Sequence, residues 1–117
     1  MSEHPVDYVH FAERLKSAWS IETSSLWSPD SPARGQCGVT TLVAHDLFKG
    51  RILKTLLPAG PHFYNLIGGR RYDFTASQFG SKIVYQDLAS DREEAMSDTS
   101  PEQYRELRRR LGLAVKD

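Results

Sequence analysis

The sequence predicts an α+β fold in which an antiparallel sheet of three to four strands packs with a cysteine-bearing helix and two further helices. Two signals carry that prediction. Apolar residues recur at helical spacing near both ends of the chain and from Cys37 onward, whereas residues 51–75 are rich in β-branched and aromatic residues and turn on Gly68-Gly69.

Tyr8, Val9, Phe11, Ala12, Leu15, Ala18 and Trp19 form the apolar stripe of a first helix from Pro5 to Trp19, and Pro5 suits its first turn. Residues 20–36 (SIETSSLWSPDSPARGQ) mix proline and glycine breakers with Ser, Thr and Asp, so they read as a long loop. Long loops in small domains are commonly functional. From Cys37 to Phe48, the apolar Val39, Leu42, Val43, Leu47 and Phe48 predict a buried helix. Its β-branched residues would also suit a strand, but its length and the glycine at position 50 decide for a helix. Strands follow at about 51–57, 62–67 and 70–75, and KIVYQDL (82–88) supplies a fourth strand or an edge segment. The polar segment of about 89–99 is expected to be mobile. A last helix opens with Ser100 as N-cap, Pro101 at its first position and Gln103 completing a capping box, and Gly112 stops it.

With 117 residues, the chain is expected to form a single domain over 1–117. It is 39% hydrophobic and 26% charged, with Lys+Arg and Asp+Glu balanced at 15 each, the composition of a soluble globular protein. Zero net charge removes the basic surplus that general nucleic-acid binding requires. No apolar run is long enough to span a bilayer, and the start of the chain has no leader pattern, so the expected location is the cytoplasm, away from membranes. One cysteine excludes an internal disulfide and any multi-cysteine metal site, and no cofactor motif is present. Oligomeric state is not encoded in any pattern of this sequence.

Cys37 follows a glycine-containing loop and starts a helix, where unpaired backbone N–H groups and the helix dipole favour a thiolate and can hold an oxyanion. Such a nucleophile requires a base, and the base a third group to orient it. A two-residue turn at Gly68-Gly69 faces 67 with 70 and 64 with 73, which sets His62 and Asp73 on one face as diagonal neighbours. The predicted catalytic set is therefore Cys37, His62 and Asp73. Gln36, Trp27 and Tyr64 are its predicted oxyanion and pocket neighbours, with the backbone N–H groups of Cys37 and Gln36 as oxyanion donors. His45, eight residues beyond Cys37, would stand roughly 12 Å along the helix axis and is too far to be the base. His4 and His10 fall near the first helix and are expected to face solvent. A metal held by Cys37, His62 and Asp73 is disfavoured, because no closely spaced ligand pair anchors it. The Phe63, Ile67, Tyr72 and Phe74 face of the hairpin is apolar, and the Cys37 helix is expected against the His62 face.

The strings W-S-P-x-S-P-x-x-G-Q-C-G-V-T-T, H-F-Y-N and R-Y-D-F-T-x-x-Q-F resemble the YunG-like family of uncharacterised bacterial proteins, over about Trp27 to Phe79. More remotely, a cysteine at a helix start followed by His and Asp on successive strands resembles the transglutaminase-like branch of papain-like thiol enzymes. That second resemblance implies a minimal papain-like core and a cysteine hydrolase or acyltransferase acting on an amide, thioester or ester of a peptide, protein or small molecule. Two departures stand out. Gln36 adjoins the thiol instead of preceding it by several residues, and the chain is much shorter than a full transglutaminase core. The rival function is a non-catalytic binding module that retains the fold, with Cys37 as a packing residue.

Overall fold

The computed structural model describes residues 5–115 of the chain. His4 lies outside them. Among the described residues the architecture is α+β, with four α-helices and a four-stranded antiparallel sheet. The helices are α1 (Pro5–Ala18), α2 (Cys37–Phe48), α3 (Arg92–Met96) and α4 (Pro101–Arg110). The strands are β1 (Arg51–Leu57), β2 (Gly60–Ile67), β3 (Arg70–Tyr72) and β4 (Leu88–Ser90), in the order β3-β2-β1-β4.

Gly68 and Gly69, with φ of 58° and 80°, turn β2 into β3 in the register expected, Ile67 opposite Arg70 and Leu66 opposite Arg71. Both angles need glycine. Because β3 stops at Tyr72, the first half of β2 is left with an open edge toward Cys37.

Successive β2 side chains alternate between faces. Phe63 packs with Leu42 and Ile52, Ile67 with Val39 and Val43, and Asn65 Nδ2 donates to the Thr41 carbonyl at 3.2 Å. The Cys37 helix therefore covers the Phe63 face, not the His62 face as expected from sequence. The reason is burial: Val39, Leu42, Val43 and Ala44 are fully enclosed and need an apolar counterpart, which Phe63 and Ile67 provide. α1 and α4 bracket α2 through Phe11, Leu15, Leu107 and Leu111, and Tyr72 and Phe74 close the same cluster. On the other face the irregular segment after β3 lies over the sheet, with Phe79 edge-on to His62 and Tyr85 edge-on to Tyr64.

Other differences from the sequence reading are local. The fourth strand is displaced to Leu88–Ser90, leaving residues 82–87 without regular structure. Asp87 there holds a φ of 54° and its amide donates to the Tyr64 hydroxyl, so its backbone serves a side chain instead of a ladder. The third strand is shorter than 70–75, because Asp73 turns back to accept from the Thr75 amide. The segment of about 89–99, expected to be mobile, contains α3: Asp91 caps it by accepting from Glu94 N–H at 2.8 Å, and Ala95 is fully buried against the Cys37 cluster. At α4, Ser100 caps as predicted, but Gln103 Oε1 accepts from Thr99 Oγ1 at 2.9 Å, so the reciprocal half of the capping box is replaced by a neighbouring hydroxyl.

Candidate functional site

Cys37 is the first residue of α2, and the helix starts there because Gly35, at φ 75°, turns the loop sharply into it. Gly35 also packs where a side chain would strike Ser24 and Leu26. The preceding loop is tied down by Gln36, which is wholly buried: its Oε1 accepts from Thr23 Oγ1 at 2.8 Å and its Nε2 donates to the Ser20 carbonyl at 3.4 Å. Its backbone N–H is spent on the Ala33 carbonyl. Gln36 thus holds the loop and offers no donor to Cys37, which corrects its predicted oxyanion role. The N–H of Cys37 itself, first in the helix, has no helical carbonyl to bond.

His62 and Asp73 meet as the register requires. His62 Nε2 lies 2.7 Å from Asp73 Oδ2, with the two side chains only 3% and 5% exposed. An ionised carboxylate only accepts, so this contact puts hydrogen on Nε2 and leaves Nδ1 as the proton-accepting nitrogen. Asp73 Oδ2 also accepts from the Tyr85 hydroxyl at 2.8 Å, and its Oδ1 accepts from the Thr75 N–H and hydroxyl.

Cys37 and His62 come from different layers yet open onto one cleft of about 270 Å³, together with Asp98, Gln78, Phe79 and Arg34. The open edge of β2 makes this possible. There Cys37 packs in one cluster with Phe63, the residue after His62 on β2, so the thiol sits against the strand that bears His62.

Tyr64 and Trp27, the predicted pocket residues, do not line the cleft. The Tyr64 ring stacks on His62 at 5.7 Å, and its hydroxyl is engaged by Thr55 and Asp87 at 2.7 and 2.9 Å. It backs the imidazole. Trp27 packs on the cluster around α1 and α2, its buried indole N–H meeting no acceptor. His45 is engaged with Arg92 at 2.9 Å, and His10 is exposed.

The residue that sequence reasoning missed is Asp98, on the turn after α3. Its Oδ2 accepts from the Cys37 thiol at 3.4 Å and from the Gly38 N–H at 3.2 Å. The residue as a whole is exposed while its carboxyl end turns inward. Burial pushes the Cys37 thiol up to about 12, and the negative charge of Asp98 adds to the effect, while the Phe63 N–H acts the other way. The positive end of α2 is thus complemented by a carboxylate in place of a thiolate, and the thiolate expected from the helix-start position is not the resting form. Burial likewise raises the Asp98 carboxyl above its ordinary value, opposed by its two donors and by His62. Only the pattern of Asp98 three residues before the helix start at Pro101 is visible in the sequence, and that pattern signals no catalysis.

The YunG protein family matches residues 7–116, nearly the whole chain. The chain is 50% identical over 99 residues to the uncharacterized protein YunG of Bacillus subtilis (strain 168), covering 85% of this chain and 86% of that one. This chain belongs to the YunG family. No solved structure matches it. As a YunG-family chain it carries Cys37, His62, Asp73 and Asp98 within the region that both matches span. Among the described residues, no helix is long and apolar enough to cross a membrane, and no group of three or more His, Cys, Asp or Glu is arranged to hold a metal ion.

Proposed function

We propose that the chain is a cysteine-dependent acyl hydrolase or acyltransferase, acting on an amide, thioester or ester. Cys37 attacks the carbonyl, His62 takes the thiol proton on Nδ1, and Asp73 holds His62 in the required tautomer. The observation that supports this reading is the buried His62 and Asp73 pair at 2.7 Å, whose imidazole lines the same cleft as a free thiol. Burying such a pair is costly for stability alone and is commonly retained for chemistry. The chain order, Cys at a helix start, His on a strand and Asp just past the end of the next strand, also resembles that of transglutaminase-like thiol enzymes. Because burial and Asp98 hold the resting sulfur as a thiol, the nucleophile forms by general-base transfer to His62 once an acyl group occupies the cleft. The Cys37 N–H is then the donor nearest the developing oxyanion.

The probe is p-nitrophenyl acetate. A stoichiometric burst of nitrophenolate and an acetyl adduct on Cys37 are expected, both absent in Cys37→Ala and slowed about 100-fold or more in His62→Ala. A burst that survives Cys37→Ala, or an adduct elsewhere, removes the reading. The raised thiol favours a second reading, a non-catalytic binding module with Cys37 as packing. That reading requires no adduct in the folded protein and rapid labelling only after unfolding.

A further inference from the structure

The proposed reaction uses Cys37, His62 and Asp73 to load an acyl group and leaves Asp98 without a task. Yet Asp98 is the polar side chain bonded to the sulfur, at 3.4 Å, and the backbone is shaped to bring it there. A Cβ at Gly38 would stand 2.7 Å from Asp98 Oδ2 and 2.8 Å from the Ala95 carbonyl, so only glycine lets the turn after α3 settle on the start of α2. Asp91, which caps α3, and the buried Ala95 fix that turn from its other end.

Loading the sulfur changes what Asp98 touches. Once the thiol proton has passed through His62 to the group that leaves the acyl carbon and the sulfur carries the acyl group, Oδ2 loses one of its two donors and keeps the Gly38 N–H. A carboxylate lodged beside the thioester then binds a new donor, and the molecule that supplies it must approach the acyl carbon. Asp98 is exposed on its outer side, so that molecule reaches it from solvent.

We infer that Asp98 is the catalytic residue of the second half-reaction: it orients and deprotonates the water or amine that clears the acyl group from Cys37. The inference rests on the reading of Cys37 as acyl acceptor. In the step, the nucleophile donates its O–H or N–H to Oδ2 and forms a bond to the acyl carbon as the carbon–sulfur bond breaks. Its proton passes to Asp98 and from there to the departing sulfur. The acid or amide leaves, and the thiol-to-carboxylate contact of the resting protein is restored. The two carboxylates thereby divide the cycle, Asp73 serving loading through His62 and Asp98 serving release. Charged and titratable groups facing the sulfur are Asp98 from the turn after α3, His62 from β2 and Asp73 beyond it, with Arg34 on the cleft wall.

The test is pre-steady-state hydrolysis of p-nitrophenyl acetate by the full chain, with intact mass spectrometry of the protein. Asp98→Asn keeps the acceptor for Gly38 but cannot take a proton. It is expected to retain the burst, to accumulate acetylated Cys37 and to turn over about 100-fold more slowly. Hydroxylamine, which needs no base, should clear the adduct equally fast from both proteins. Asp98→Glu, which keeps the charge but moves it by one methylene, should release at an intermediate rate. A second readout requires no turnover: the pH profile of iodoacetamide alkylation should shift to lower pH in Asp98→Asn. Deacylation at the wild-type rate in either variant, loss of the burst in Asp98→Asn, or an unmoved alkylation profile overturns the inference. If wild-type Cys37 forms no adduct, the acyl-transfer reading itself falls and the inference falls with it. A wild-type adduct with unchanged release in the variants removes the inference alone.

Discussion

Asp73 receives four hydrogen bonds on two oxygens: from His62 and Tyr85 on one, and from the Thr75 N–H and hydroxyl on the other. It is a structural hinge as well as an orienting group, since those bonds end β3 and seat the segment that carries Tyr85 over the sheet. Three of the four donors belong to His62 and Thr75, buried residues that cannot turn to water. Asp73→Ala is therefore expected to cost about 3 kcal/mol or more, because it strands buried donors. Tyr85→Phe, which removes a single hydroxyl, should cost about 1 kcal/mol. Urea denaturation of both variants separates the cases; equal losses would show that Asp73 acts at this site only through Tyr85. That His62 and Asp73 would meet was legible from two glycines and the alternation of side chains along a strand. The further load on Asp73 was not, because Tyr85 lies in a stretch whose β-branched residues read as a strand, whereas it runs as an irregular cover.

At the scale of elements, the start of α2 is governed by what packs on it. α3 has only five residues and a polar sequence, REEAM, so neither its length nor its hydrophobicity announces it. It is held by one buried methyl, Ala95, by its Asp91 cap and by an ion pair of Lys54 with Glu94. Such tertiary support is invisible to periodicity, which is why Asp98 escaped notice. Gly38 registers the contact. In a free helix, Gly→Ala stabilises by roughly 1 kcal/mol, but here the new methyl would sit within 2.8 Å of the Ala95 carbonyl as well as against Asp98. Gly38→Ala is expected to destabilise by about 1 to 3 kcal/mol, the cost of overpacking. Adding Asp98→Ala should not rescue it, since the Ala95 carbonyl remains. A stabilised Gly38→Ala protein in urea titration would mean that α3 does not press on α2.

For the whole molecule, the site exists because two layers meet at an uncovered strand edge. Sequence alternation sorted the β2 residues onto the correct faces, but it could not say which face takes α2, since both bear aromatic residues. The apolar demand of α2 decided that. The choice sets the sulfur beside the Phe63 N–H and deep enough that burial governs its ionisation, with a consequence for global stability. The thiol ionises at an ordinary value of 9.0 in the unfolded chain and about 12 in the fold. Between these values unfolding releases a proton, so rising pH favours the unfolded chain, and the contribution of Cys37, full below 9.0, is lost as pH climbs toward 12. At about 1.4 kcal/mol per pKa unit, the loss amounts to several kcal/mol at most. Tyr64, Tyr85 and Tyr104, also raised by burial, add an alkaline loss of their own, but one common to wild type and a Cys37 variant. The difference in unfolding free energy between wild type and Cys37→Ala isolates the thiol. It should stay level up to about pH 9 and then fall steadily toward the variant as pH rises. Urea midpoints measured for both proteins across that range check it. Curves that remain parallel through the alkaline limb would show that the sulfur ionises in the fold as it does in the open chain, and that burial does not hold it as a thiol.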